Sequence, residues 1–133
     1  MKKSYLAKII AKDNNGLQMI SACCSGAKVK VSDIKFLKKN KIFLICLERI
    51  RKEEGRNNEK INSICKFEFV DNVKSKNISQ LNDKLILELL AIDILKSDQI
   101  FEINLLFNNN AFITLFAEII EVTLEDQNKK KYD

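Results

Sequence analysis

The chain has 133 residues, 46% of them hydrophobic, which suits one domain burying roughly two thirds of its unfolded surface and is too little for two. Its 23 basic and 18 acidic side chains leave a net charge of +5, and it holds neither proline nor tryptophan. It also holds no histidine, so Ser-His and Cys-His nucleophile pairs and histidine-based zinc or iron sites are excluded from this chain acting alone.

Tyr5 to Ala11 reads as a short opening strand. Asp13, Asn14 and Asn15 then offer capping oxygens ahead of Leu17, Ile20, Cys24 and Ala27, whose i, i+3, i+7 spacing predicts a helix over 14–25. Gly26 can end it in the left-handed conformation. From Lys28 the period becomes two, with a fault: Val29 and Val31 share one parity, Ile34 and Phe36 the other. One extra residue near Ser32 and Asp33, a β-bulge, brings all four to one face, sends Lys28, Lys30 and Lys35 outward, and leaves Leu37 pointing out at some cost. Lys39 and Asn40 suit a hairpin turn. Ile42 to Leu47, apolar at both parities, reads as a central strand covered on both sides. The charged stretch 51–60 lacks periodicity and reads as a mobile loop.

Cys65, Phe67 and Phe69 alternate with Lys66 and Glu68, as in a strand with one face in the core. A polar connection from Lys74 to Asp83 leads to strands over 84–94, 100–107 and 112–118, whose short links imply an antiparallel meander. Ile119 to Asp126 reads as a short C-terminal helix or a continuation of the last strand, with Glu125 and Asp126 as ordinary end charges, and 127–133 as a frayed tail. There is no internal repeat and no linker, so 1–133 is a single domain. The fold class is α+β: a single curved antiparallel sheet of about seven strands with one main helix after the first. Such a sheet curls over its own core, and a barrel like that of pleckstrin-homology domains is the analogue.

The stretches ISACCSGAKVKVSDIKFL (Ile20 to Leu37), KIFLICLERI (Lys41 to Ile50), LELLAID (Leu87 to Asp93) and FAEIIEVTLED (Phe116 to Asp126) resemble a bacterial domain family of unknown function, DUF 2948. The resemblance implies a compact stand-alone domain and brings with it no activity, cofactor or catalytic residue. That family favours an Asn-Arg-Phe-like run at the end of the hairpin arm, whereas Glu48, Arg49 and Ile50 keep the arginine alone. Asn108 to Asn110 stand where relatives place glycines and can still supply positive φ.

Residues 1–60 carry a net +9 and residues 61–133 a net −4. Only Arg49, Arg51 and Arg56 are arginines, and the excess of lysine, asparagine and isoleucine is what AT-rich codons produce, which discounts the basic signal. Lys28, Lys30, Lys35, Lys38, Lys39 and Lys41 nevertheless form a candidate basic patch on one hairpin, suited to salt-sensitive contact with phosphates. Its bland counterpart is a solvated face that discourages edge pairing. Asp93 and Glu102 face each other directly if the hairpin turns on Ser97 and Asp98, and so form a candidate acid pair. The four cysteines contain no CxxC spacing and read as free thiols packed like small hydrophobes. Ser75 and Lys76 are too close in sequence to form a dyad, and no phosphate-binding glycine motif occurs. Apolar runs are too short to span a membrane, and Ser4 to Ala7 is too short for a signal peptide core, so the expected location is cytoplasmic. The expected role is a non-catalytic protein-interaction module without cofactors, its protein partner unknown; the alternative is nucleic-acid or anionic-surface binding through the lysine hairpin.

Overall fold

A computed structural model describes residues 7–51, 59–79, 81–82 and 84–127. Its elements are β1 (Lys8–Ala11), α1 (Asn14–Cys24), β2 (Ala27–Leu37), a 3-10 turn (Lys38–Asn40), β3 (Ile42–Arg51), β4 (Glu59–Phe67), β5 (Val70–Lys76), β6 (Ile86–Ser97), β7 (Ile100–Phe107), β8 (Phe112–Ala117) and β9 (Val122–Asp126). The nine strands form one antiparallel sheet in the order β1-β9-β4-β3-β2-β6-β7-β8-β5. This corrects the expected count of about seven. The extra strands are β5, whose last three residues fall in the supposed polar connection, and β9, which replaces the C-terminal helix considered for Ile119 to Asp126.

The sheet is strongly curled yet open. β4 and β5 occupy the third and ninth places in the sheet although only Glu68 and Phe69 separate them in the chain. Three peptide links span at most about 11 Å, so the far edge must bend back towards β4 at that point. The Val70 amide donates to the Lys41 carbonyl at 2.9 Å there. No ladder joins the two ends, so the expected barrel is not closed.

The helix forms as its sequence predicts. The Asp13 carboxylate accepts from the Gly16 amide at 2.8 Å, and Leu17, Ile20 and Cys24 are fully buried. Gly26 ends the turn at φ +87°, and its amide donates to the Leu89 carbonyl at 2.7 Å, which starts the β2–β6 ladder. α1 packs on β6, β1 and β3. Because β2 begins only at Ala27, opposite Leu89, the Ile92 amide finds its acceptor in the Ser21 hydroxyl at 2.9 Å instead. Gly16 lies so close to β1 that a Cβ there would sit 3.0 Å from the Ala11 Cα.

The bulge in β2 is present and larger than expected. From Val29 to Ile34 the strand advances five positions while β3 advances two, from Leu47 to Ile45, so three residues are extra rather than one. An odd number preserves the parity switch: Val29 pairs with buried Leu47, and Ile34 with buried Ile45. Leu37 is 44% exposed, as anticipated. The hairpin turn differs in detail, because Lys41 rather than Asn40 takes the left-handed conformation, at φ 57°. β3 shows one buried and one half-buried face, so Ile42 to Leu47 is not covered on both sides. Phe69 leaves the core at φ 61° and is 40% exposed.

Of the expected mobile loop, Arg51, Glu59 and Lys60 lie in strands, and 52–58 lie outside the described residues, as do 128–133 of the expected tail. Gln127 is tied by its amide to the Asn62 carbonyl at 2.8 Å. The interior is a continuous apolar cluster in which the rings of Phe43 and Phe67 meet at 6.0 Å, tilted by 58°. Among the described residues no helix is long and apolar enough to cross a membrane.

Candidate functional site

Among the described residues, polar chemistry or unfilled space occurs at several places. The first lies inside the sheet at the α1 end. The inward parity of β3, β4 and β9 ends there on Arg49, Ser63 and Asp126, all buried. The Arg49 guanidinium forks onto the Asp126 carboxylate, Nη2 reaching both oxygens at 3.0 Å, while its Nε donates to the Ser63 hydroxyl oxygen at 3.1 Å. The Ser63 hydroxyl donates to Asp126 at 2.7 Å, and the Ala7 amide does so at 2.9 Å. Burial raises the Asp126 carboxyl, but the Ser63 hydroxyl, the Ala7 amide and Arg49 together outweigh it and hold the acid below its ordinary value. The arrangement knots β1, β3, β4 and β9 together, with each charge spent on its neighbour. Asp126 is thus an interior group rather than an end charge.

The thiols around it are electrostatically quiet. All four cysteines are free, with Cys24 and Cys65 buried. Burial pushes the Cys24 thiol up to about 12 and the Cys65 thiol well above its usual range, and it raises half-buried Cys46 as well. A thiol kept neutral is neither a nucleophile nor a ready metal ligand. Among the described residues no three Cys, Asp or Glu side chains come together as a metal site would require.

The second place is the outer face of the β2–β3 hairpin, where the candidate basic patch lies. All six lysines are exposed, but they are not equivalent. Lys28 reaches Glu88 at 3.7 Å and Lys41 reaches Asp71 at 3.0 Å. The Asp71 hydrogen bond and charge raise the Lys41 ammonium above its ordinary value. Lys30, Lys35, Lys38 and Lys39 have no ion-pair partner among the described residues. Lys28 and Lys30 border an outer groove of about 510 Å³ shared with Asp33 and Glu48, so its charge is mixed.

The acid pair is not brought together as expected. The hairpin turns on Asp98 and Gln99, with Asp98 at φ 54°, which pairs Asp93 with Asn104 and Glu102 with Leu95. Asp93 and Glu102 are diagonal neighbours, where Cα atoms lie roughly 7–8 Å apart. A bulge between Leu89 and Ala91 also leaves Leu90 46% exposed, whereas Ile92, Ile103 and Leu105 face inward.

The third place was not foreseen. Beyond the bulge β2 leaves β6, whose ladder stops at Lys30, and among the described residues β5 pairs with β8 alone. Between them lies a slot of about 340 Å³ lined by Ile34 and Phe36 of β2, Val73 and Ser75 of β5, and Ile78 and Ile113. It sits at the Phe43 end of β3, about 20 Å from Arg49 at a strand's rise per residue. The sequence signal for it was the bulge, but only the register of β6 shows which edge the bulge leaves bare.

Comparison with the curated proteins and with the solved structures gives no match. A family model described as a protein of unknown function (DUF2948) matches residues 7–132, nearly the whole chain, and the chain belongs to that family.

Proposed function

We propose that this chain is a non-catalytic interaction module that binds another polypeptide at the margin of its open sheet, in the cytoplasm, where free thiols stay reduced. The observation that carries the reading is the apolar slot between two strand edges that lack a partner among the described residues. An unpaired edge offers a row of backbone donors and acceptors to an incoming strand. The inward-turned, mutually satisfied Arg49–Asp126 pair and the neutral buried thiols lend no support to catalysis.

The test is site-specific photocrosslinking in cells, with the crosslinker at exposed Ser75 on β5 and, as a control, at exposed Gln18 on α1. A protein adduct of defined mass from Ser75 and not from Gln18 is expected. Adducts from neither position would refute the reading.

A second reading, binding of nucleic acid or an anionic surface, is favoured by the four lysines without ion-pair partners among the described residues, Lys30, Lys35, Lys38 and Lys39. It expects affinity for a labelled single-stranded RNA to fall linearly with log salt, and Lys38→Glu with Lys39→Glu to flatten the slope by about 1.4, at roughly 0.7 per phosphate. Unchanged binding in that variant would dismiss it.

A further inference from the structure

We propose that the slot between β2 and β5 takes an extended acidic peptide from another protein, added alongside the bare strand edge with apolar side chains seated against Ile34, Phe36 and Val73. This rests on the interaction-module reading and narrows it to one place and one partner chemistry.

The first argument is the form of the site. Among the described residues the later half of β2 is hydrogen-bonded through β3 on one side only, and Val31 makes the last backbone bond on the other, its amide donating to the Leu85 carbonyl at 2.9 Å. Past that point the edge faces the slot. Ile34, Phe36, Val73 and Ile78 pack against the core yet are only half-buried, and Ser32 and Ser75, which also line the slot, are small and exposed. A volume of about 340 Å³ lies at the low end of ligand clefts, which run roughly 300–1,000 Å³. That is too small for a folded element and sufficient for a few side chains of an extended segment.

Charge decides the partner. Lys35 on β2 and Lys74 and Lys76 on β5 lie at outward parity, outside the slot's lining but on the face that the outward residues of an added strand would share, and Lys38 and Lys39 follow in the turn after β2. Against them stand Asp33 and Asp71, and Asp71 is already engaged by Lys41. Lys74 and Lys76 lie over the rings of Phe116 and Phe112 on β8 at 5.5 and 5.9 Å, so their ammonium groups lean away from the slot and Lys35, Lys38 and Lys39 carry most of the border charge. A cationic border selects acidic residues flanking the apolar ones. It also repels the same border of a second copy, which disfavours edge-to-edge self-pairing. The lining is mostly aliphatic and Phe36 is half-buried, so the slot lacks the open aromatic face on which a nucleobase would stack.

The experiment pans a phage-displayed library of random dodecapeptides on the intact chain and measures the selected peptides, labelled with fluorescein, by anisotropy. The expected consensus is acidic with apolar residues at alternate positions. Ser75→Glu should weaken binding about fivefold, the upper end for a partly screened charge contact, while Ser75→Lys should not weaken it. Backbone amide shifts should change at Ser32 to Phe36 and Val73 to Ser75. If Ser75→Glu loses the wild-type circular dichroism spectrum, Ser32→Glu serves in its place. Peptides that shift only α1 or β1 amides would overturn the slot and leave the interaction module standing. Basic consensus peptides, or equal binding by the Glu and Lys variants, would overturn the charge argument and with it the proposal. Binding of single-stranded RNA with no peptide enriched would overturn both readings.

Discussion

Asp126→Asn isolates the buried charge pair, because it keeps the shape of the side chain and removes its charge. The Arg49 side chain is 7% exposed and that of Asp126 is fully covered, so the variant leaves a guanidinium in the interior facing an amide. Removing one partner of such a pair costs about 3–5 kcal/mol, a large share of the 5–15 kcal/mol by which domains of this kind are stable. Replacing both members, as Arg49→Met with Asp126→Leu, removes the charges together. That double variant should recover at least about 2 kcal/mol of the single variant's loss, because an apolar pair of similar volume is often no worse than the ion pair. Urea unfolding followed by far-ultraviolet circular dichroism at neutral pH measures all three. A loss under about 1 kcal/mol for Asp126→Asn, or a double variant no better than the single one, would refute the claim that the pair is buried and mutually dependent.

The same group predicts part of the acid limb of stability. Its folded value is depressed, so its contribution is fully present above the unfolded value, near 3.8, and is lost as pH falls from there through the lower folded value. Asp126→Asn should lack this component, so its urea midpoint should fall less than the wild type's over that acid range.

Thiol labelling with an aromatic disulfide at mildly alkaline pH should leave Cys24 and Cys65 unmodified until the chain is unfolded, since both are buried and held neutral; mass spectrometry showing either labelled in the native state would contradict this. Gly16→Ala should lower the melting temperature although alanine favours helix by about 0.8–1 kcal/mol, because the new Cβ would press on β1 at 3.0 Å from the Ala11 Cα. Gly26→Ala meets no atom nearer than Glu88 Oε2 at 4.0 Å, so its cost, read from urea midpoints, should be that of the left-handed backbone alone, about 1–2 kcal/mol. Deleting Ser32 makes the step from Val29 to Ile34 an even four, which keeps Ile34 and Phe36 inward but leaves β2 two residues out of register with β3, whereas deleting 31–33 together makes it two, equal to the step of β3, and should retain more native circular dichroism signal.

Where local rules were strong, the sequence spoke clearly. Asp13, the Leu17–Ile20–Cys24 spacing and Gly26 bracket α1 because a cap, an apolar stripe and a left-handed stop are all short-range features. β7 from Glu102 onward and β8 alternate in burial on either side of one asparagine-rich turn, in which Asn109 and Asn110 adopt positive φ at 62° and 59°. β5 escaped notice because an edge strand needs only one buried face, and a bulge between Val70 and Asn72 breaks its parity. What remains, DNVKSK, reads as a polar loop. β9 was ambiguous because Ile119, Ile120, Val122 and Leu124 suit either period. Its pairing with β4 and β1, which no window of sequence contains, settles it as a strand.

The candidate sites show the same division between parity and neighbourhood. Arg49 follows Leu47, Asp126 follows Leu124 and Ser63 precedes Cys65, each at inward parity, so three strands carry a polar residue where an apolar one is due. Only the registers Leu47↔Ser63 and Ser63↔Asp126 turn three local oddities into one cluster. The acid pair failed for the converse reason: moving the turn by one residue, from Ser97–Asp98 to Asp98–Gln99, shifts every pairing by two and separates Asp93 from Glu102. The β2 bulge joins both lessons. Its parity switch was readable, but the three extra residues also mark where β2 leaves β6, so the irregularity that keeps Ile34 and Phe36 inward is the one that bares the edge beside them. A straight β2 could continue its ladder along β6 and cover that edge, and the slot would go with it.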